Sequence, residues 1–154
     1  MGAAYFYHLT RSPVEETLPM LLDKARGAGW RIVVKGADLE RLKFMDEKLW
    51  LGPEDGFVPH GLAGGAHDAD QPILLTQSDD WPNNPQCVMA LDGADVDADA
   101  VNRLDRVCIL FDGADGSAVQ RARGQWKSLT GAGCAAQYWS QESGRWEKKA
   151  ESGA

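Results

Sequence analysis

Long apolar runs are missing from this 154-residue chain, and none approaches the roughly 18 residues that a membrane-spanning helix needs. A surplus of positive charge is missing too. Lysine and arginine number 16 against 23 aspartates and glutamates, a formal net charge of −7. A protein built to grip phosphate backbone carries a basic face, so strong direct binding of nucleic acid is disfavoured, with a local basic patch left open. Cysteine is scarce: Cys87, Cys108 and Cys134 are odd in number, widely spaced and set in apolar, strand-like runs. That pattern fits buried free thiols better than a disulfide or a metal site. The amino terminus, MGAAYFYHLTR, has neither a basic leader nor an apolar stretch, so no signal peptide is expected. It does not complete a myristoylation pattern either, because position 6 is Phe rather than Ser or Thr. A cytoplasmic protein with no membrane partner is the default expectation.

Catalytic signatures are absent as well. There is no G-x-S-x-G elbow and no cysteine in a recognisable nucleophile motif. The glycine-rich HGLAGGAH, residues 60–67, follows a loop and precedes a strand. A dinucleotide fingerprint instead joins an early strand to a helix, and neither G-x-G-x-x-G nor G-x-x-x-x-G-K-[ST] spacing occurs here. A flexible surface loop is the expected reading. His60, His67, Asp68 and Asp70 are the right residue types for a metal, but no periodicity puts them on one face. His8 reads as a satisfied or rim histidine. Asp92, Asp95, Asp97 and Asp99 fall in loops, where solvation explains them. No catalytic residue, cofactor or metal is expected.

What is present is a βα alternation in one domain, residues 1–150, followed by a polar tail, 151–154, expected to fray. YFYHL (5–9) reads as a strand buried on both faces. In SPVEETLPMLLDKARGAGW, Ser12 offers an N-cap, Pro13 suits the first helical position and Glu15 completes a capping box. Val14, Leu18, Leu21, Leu22 and Ala25 recur at helical spacing, Gly27 and Gly29 supply the stop, and Pro19 inside the run is expected to kink it. RIVVK (31–35) is a second strand, and Asp38 caps a second helix with the stripe Leu39, Leu42, Met45, Leu49 and Trp50. PILLT (72–76), CVMAL (87–91), RVCILF (106–111) and AAQYWSQ (135–141) read as further strands, with a helical turn before RVCILF and a helix near 117–131. The order predicts an α/β fold with a mostly parallel central sheet and right-handed crossovers.

The late helix carries the most informative cluster. Arg123 and Lys127 are four apart and therefore neighbours, and Trp126 lies on the adjoining stripe. Spacing alone favours a solvated face beside a core tryptophan. The functional alternative is a pocket for an acidic, apolar peptide end, since arginine clamps carboxylates and aromatic surface receives hydrophobic side chains.

From about Tyr5 to Trp139 the chain resembles the chi subunit family of bacterial DNA polymerase III holoenzyme. The resemblance rests on FYHL, GWRIVVK, DEKLW (46–50), FVPHGLAG (57–64), RVCILFDG and ARGQWKSLTGAG (122–133), in that order. It implies a three-layer, Rossmann-like (mononucleotide-binding-like) α/β fold without a nucleotide site, with helices on both faces of the sheet. It also implies a noncatalytic accessory subunit of the clamp-loader complex in DNA replication, with two contacts. One is the psi subunit of the loader, through Trp50, Phe57, Val58 and Pro59. The other is the acidic, Phe-ending C-terminal tail of single-stranded DNA-binding protein, through Arg123, Trp126 and Lys127. A basic position that the family carries one turn upstream is Val119 here, and Pro19 is not part of the family pattern. Two alternatives stand beside this reading: a nucleotide-dependent enzyme on the same frame, and an adaptor whose Trp50/Phe57 surface docks a repair helicase.

Overall fold

The computed structural model describes residues 2–11, 13–50, 60–65, 68–91, 93–141 and 145–152, the side chain of Trp50 excepted. The elements run β1 (Ala3–Leu9), α1 (Val14–Gly27), β2 (Ile32–Gly36), α2 (Leu39–Trp50), β3 (Gly61–Leu62), β4 (Ile73–Thr76), β5 (Cys87–Leu91), α3 (Ala98–Arg103), β6 (Arg106–Asp112), α4 (Gly116–Gly131), β7 (Ala135–Ser140) and β8 (Glu147–Ser152). They build one sheet of order β3-β4-β2-β5-β6-β1-β7-β8. The pairings are parallel except β7 with β8.

The strand alternation feeds two cores, one on each face. Ile32, Val34, Ile73, Leu75, Met89 and Leu110 point to the side covered by α1 and α2. Phe6, Val33, Leu74, Val88, Val107 and Ile109 point to the side covered by α3 and α4. The central strands lie between two helical layers, so every residue of β2, β4 and β5 is buried. Full burial of one such aliphatic side chain stabilises by about 1.5–3 kcal/mol.

The stripe expected on α1 is the buried one: Val14, Leu18, Leu21, Leu22 and Ala25. Its start lies one residue away from the expected position. Pro13 is the N-cap, with extended backbone and no side-chain cap bond, and Ser12 lies outside the described residues. Pro19 removes the donor for the Glu15 carbonyl, yet the helix continues as one element to Gly27. It closes in a Schellman motif, with Trp30 N donating to Ala25 O and Gly29 N to Arg26 O. Gly29 takes the left-handed conformation this requires, φ 83°. α4 ends the same way through a second GAG: Cys134 N bonds Leu129 O, Gly133 N bonds Thr130 O, and Gly133 has φ 88°.

Three expectations are corrected. Leu39 belongs to the α2 stripe by spacing, but it sits at the first turn and is 44% exposed, whereas Leu42, Met45 and Leu49 are buried. The glycine-rich segment is not simply a surface loop: Gly61 and Leu62 form an edge strand on β4, and Ala63 N continues the ladder to Leu75 O. The polar tail expected to fray from 151 begins inside β8. Glu151 and Ser152 pair with Gln137 and Ala136, and Glu151 also accepts from Gln137 Nε2 and Lys148 Nζ.

All three cysteines are buried and free, as expected. The hydrogen bond of Cys87 with Cys108, followed by burial, raises the Cys87 thiol well above its ordinary 9.0. Burial, followed by repulsion from Cys108, also raises the Tyr7 hydroxyl above its ordinary 10.0. Above pH about 9 the unfolded chain therefore releases protons that the folded chain keeps, and stability falls as pH rises. Urea midpoints should drop from pH 8 to pH 10, and Cys87→Ala should flatten that drop. An equal slope in the variant would remove Cys87 from the account.

Candidate functional site

β1 and β6 are neighbours, but α1 and α4 leave their carboxyl ends onto opposite faces of the sheet. Such a switch point is where open α/β sheets bind ligands. Here it is a crevice of about 520 Å³ lined by Arg11, Glu15, Arg41, Asp112, Asp115 and Arg121, among others. Three arginines line it, but backbone amides at its mouth are already used. The Asp115 carboxylate accepts from Ser117 N and Ala118 N at 2.9 and 3.4 Å, filling the start of α4. The Thr10 and Arg11 amides donate to Gln141 Oε1 at 3.2 and 3.1 Å. The first turn of α1 carries Glu15 and Glu16. A phosphate arriving here would meet carboxylates where a nucleotide site presents free amides.

A second concavity gathers Arg123, Trp126 and Lys127. It is a groove of about 770 Å³ between α4 and the β7–β8 hairpin, closed by His8, Tyr138, Ser140 and Lys149. Asp115 caps α4 and fixes its start. Ala122 and Leu129 bury one face, which leaves Trp126 half-buried and Arg123 and Lys127 exposed on the rim. The floor is aromatic. Phe6 lies beneath, with ring centroids 5.4 Å from Trp126 and 6.3 Å from Tyr138, and Trp126 meets Tyr138 edge-on at 6.0 Å. The Tyr138 hydroxyl and His8 Nδ1 share a hydrogen bond of 3.0 Å, so His8 is the satisfied rim histidine expected.

The electrostatics of the groove have one sign. Its lining includes three cations and no carboxylate. Lys149 is paired with Glu147 at 3.2 Å, but Arg123 and Lys127 make no ion pair among the described residues. Val119 packs half-buried against the core, and the third cation comes from Lys149 on a different element. An aromatic floor under uncommitted cations suits an anionic ligand with an apolar end. Tyr138 and Lys149 were not identifiable from local spacing. They reach the groove through the β7–β8 pairing, which no helical period announces.

The remaining candidate residues stand elsewhere. Trp50 closes α2, and Phe57, Val58 and Pro59 lie outside the described residues, as does His67. His60 is buried, and its Nε2 lies 3.1 Å from Asp46 Oδ1 and 3.2 Å from Asp46 O, tying the segment after the loop to α2. Asp68 accepts from the Gly64 and Gly65 amides at 2.9 and 3.1 Å. His60 and Asp68 are thus engaged in bracing the backbone, and no group of three metal-ligating side chains forms among the described residues.

Fold and site define a class: a three-layer α/β protein of the mononucleotide-binding type, with the start of its switch-point helix α4 capped by its own Asp115 and an aromatic, cation-rimmed groove on that late helix. The chain belongs to the DNA polymerase III chi subunit family, matching the family described as DNA polymerase III chi subunit, HolC, over residues 1–137. It is similar to the probable DNA polymerase III subunit chi of Rickettsia prowazekii (strain Madrid E), at 23% identity over 90 residues, 58% of this chain and 54% of that protein. It is also similar to DNA polymerase III subunit chi of Escherichia coli (strain K12), at 30% identity over 71 residues, 46% of each chain. The chain spans about half the length of the curated relatives it matches. No described helix is long and apolar enough to cross a membrane.

Proposed function

We propose that the chain is a noncatalytic accessory subunit of the DNA polymerase III clamp-loader assembly. It links the loader, through a psi subunit, to the acidic C-terminal tail of single-stranded DNA-binding protein. The observation that carries this reading is the Arg123–Trp126–Lys127 groove, an aromatic floor under two cations that no carboxylate of the described chain neutralises. A protein that reaches DNA through another protein's tail needs no basic body, in keeping with a net charge of −7.

Titrating a labelled acidic, Phe-ending tail peptide tests the groove. Arg123→Ala is expected to weaken binding at least about tenfold, the scale of a lost charge-assisted contact. Wild-type affinity should also fall as salt rises, because exposed pairs are screened. Unchanged affinity in the variant would sink the assignment. For the psi contact, Trp50, Phe57, Val58 and Pro59 are the anchors, large apolar groups of the kind that dominate interfaces. Phe57→Ala should strip psi from the purified complex, and equal recovery by both proteins would count against that surface.

A further inference from the structure

On the opposite face of the sheet from the late-helix groove, at its amino end, a cavity of about 310 Å³ opens between the last turns of α1 and the starts of β5 and β6. Its wall is apolar and aromatic: Leu21 and Ala25 from α1, Trp30, Tyr7, and Met89 with Cys87 from β5. Two charged side chains line it, Lys24 at the rim and Arg106 at the start of β6, and both are cations. On so acidic a chain, a cavity lined by cations without a carboxylate is unexpected.

Arg106 is the unusual member. Its guanidinium lies over Tyr5, 4.0 Å from the ring centroid, and 5.3 Å from that of Trp30. Its Nε is buried and has no hydrogen-bond partner among the described residues. A guanidinium presents five donors in a fixed fork that matches a carboxylate, and a buried donor left unmet is costly. The α1 carbonyls at this end would repel an anion, but those of Lys24, Ala25 and Arg26 already accept from the amides of Ala28, Trp30 and Gly29. The thiol and phenol walls stay neutral, since the hydrogen bond with Cys108, followed by burial, raises Cys87, and burial raises Tyr7. The volume lies at the small end of ligand pockets, near 300 Å³, and so limits an occupant to one ring or a short branched chain.

We propose that this cavity is a binding site for a small apolar carboxylate, an aromatic or branched aliphatic acid whose carboxylate is taken by Arg106 and whose hydrocarbon packs on Trp30, Leu21 and Met89. The same chemistry is carried by a free acid and by the carboxyl-terminal residue of a peptide, and the size of the cavity favours the free acid.

The probe is 3-phenylpropionate, followed by amide and indole NMR of the full chain. Saturable shifts are expected at the Trp30 indole N–H and the Ala28 amide. The neutral alcohol of the same skeleton should bind at least about tenfold more weakly, and Arg106→Gln should weaken the acid by a similar factor. Should Arg106→Gln fail to fold, Lys24→Glu on the exposed face of α1 decides the matter, with a loss of about threefold expected from reversing the rim charge. A neutral peptide ending in Phe is the second arm: weaker binding than the free acid supports the small-molecule source, and tighter binding overturns it. Absence of saturation, equal binding of acid and alcohol, or shifts confined to Arg123 and Trp126 would each overturn the site itself.

Discussion

Phe6→Ala is expected to lower stability by about 3–5 kcal/mol, the range for truncating a buried phenylalanine, and to lower the melting temperature by on the order of 10 °C. Phe6 is fully buried in the middle of β1, between β6 and β7, where the sheet offers no exit to solvent. Its ring supports two others, Trp126 edge-on and Tyr138 in parallel. Alanine would leave a void beneath both, and the flanking strands are held by ladders that resist collapse into it. The consequence extends beyond stability, because Trp126 and Tyr138 are the floor of the groove. Tail affinity should fall in this variant although no contacting residue has changed, and Phe6→Leu should recover most of both losses by restoring volume. Urea unfolding and tail titration on the three proteins measure this. A stability loss below about 1 kcal/mol would mean that the indole drops into the space, and would remove Phe6 as the support of the floor.

The two kinds of pattern in this chain were legible to different degrees. Local periodicity gave the helices and the buried strands, because burial on one stripe or on both faces writes itself into successive residues: Leu18, Leu21 and Leu22 on α1, or Ile32, Val33 and Val34 on β2. The GAG stop of α1 was legible for a similar reason, since only glycine takes the left-handed turn readily. Long-range pairing was not legible. EKKAES has the composition of a tail, and it becomes β8 only because β7 presents an open edge for it to cover. Gly61 and Leu62 likewise join the other edge through β4, inside a stretch whose glycines suggest a loop.

The same division applies to the groove. Arg123, Trp126 and Lys127 follow from the spacing of a single helix, whereas Tyr138 and Lys149 need the hairpin and His8 needs β1. Trp126 also shows why spacing left core and pocket as rivals. It packs on Phe6 and lines the groove at once, so both readings describe one side chain. The Cys87–Cys108 pair and Arg106 were equally hidden, because they meet only when β5 and β6 lie side by side.

Reversing both rim charges, Arg123→Glu with Lys127→Glu, is expected to weaken tail binding by at least about a hundredfold, with folding stability unchanged to within about 0.5 kcal/mol. The stability half follows from position. Both side chains are exposed and neither is paired among the described residues, so the fold loses no contact. Two cations four apart on a helix repel by about 0.2–0.5 kcal/mol, and two glutamates repel by as much, so the change largely cancels. The binding half follows from sign. In the wild type an anionic ligand relieves that repulsion as it binds, while in the variant it would add a third negative charge beside two. Salt then becomes the most informative axis. Wild-type affinity should fall with ionic strength, and the residual affinity of the variant should rise, because screening now weakens a repulsion. A control carrying Arg26→Glu and Lys43→Glu changes the net charge equally at exposed helix positions outside the groove, and its tail affinity should stay within about twofold of wild type. If that control lost as much as the rim variant, the net charge of the chain and not the groove would govern the encounter, and the assignment of Arg123 and Lys127 would fall with it.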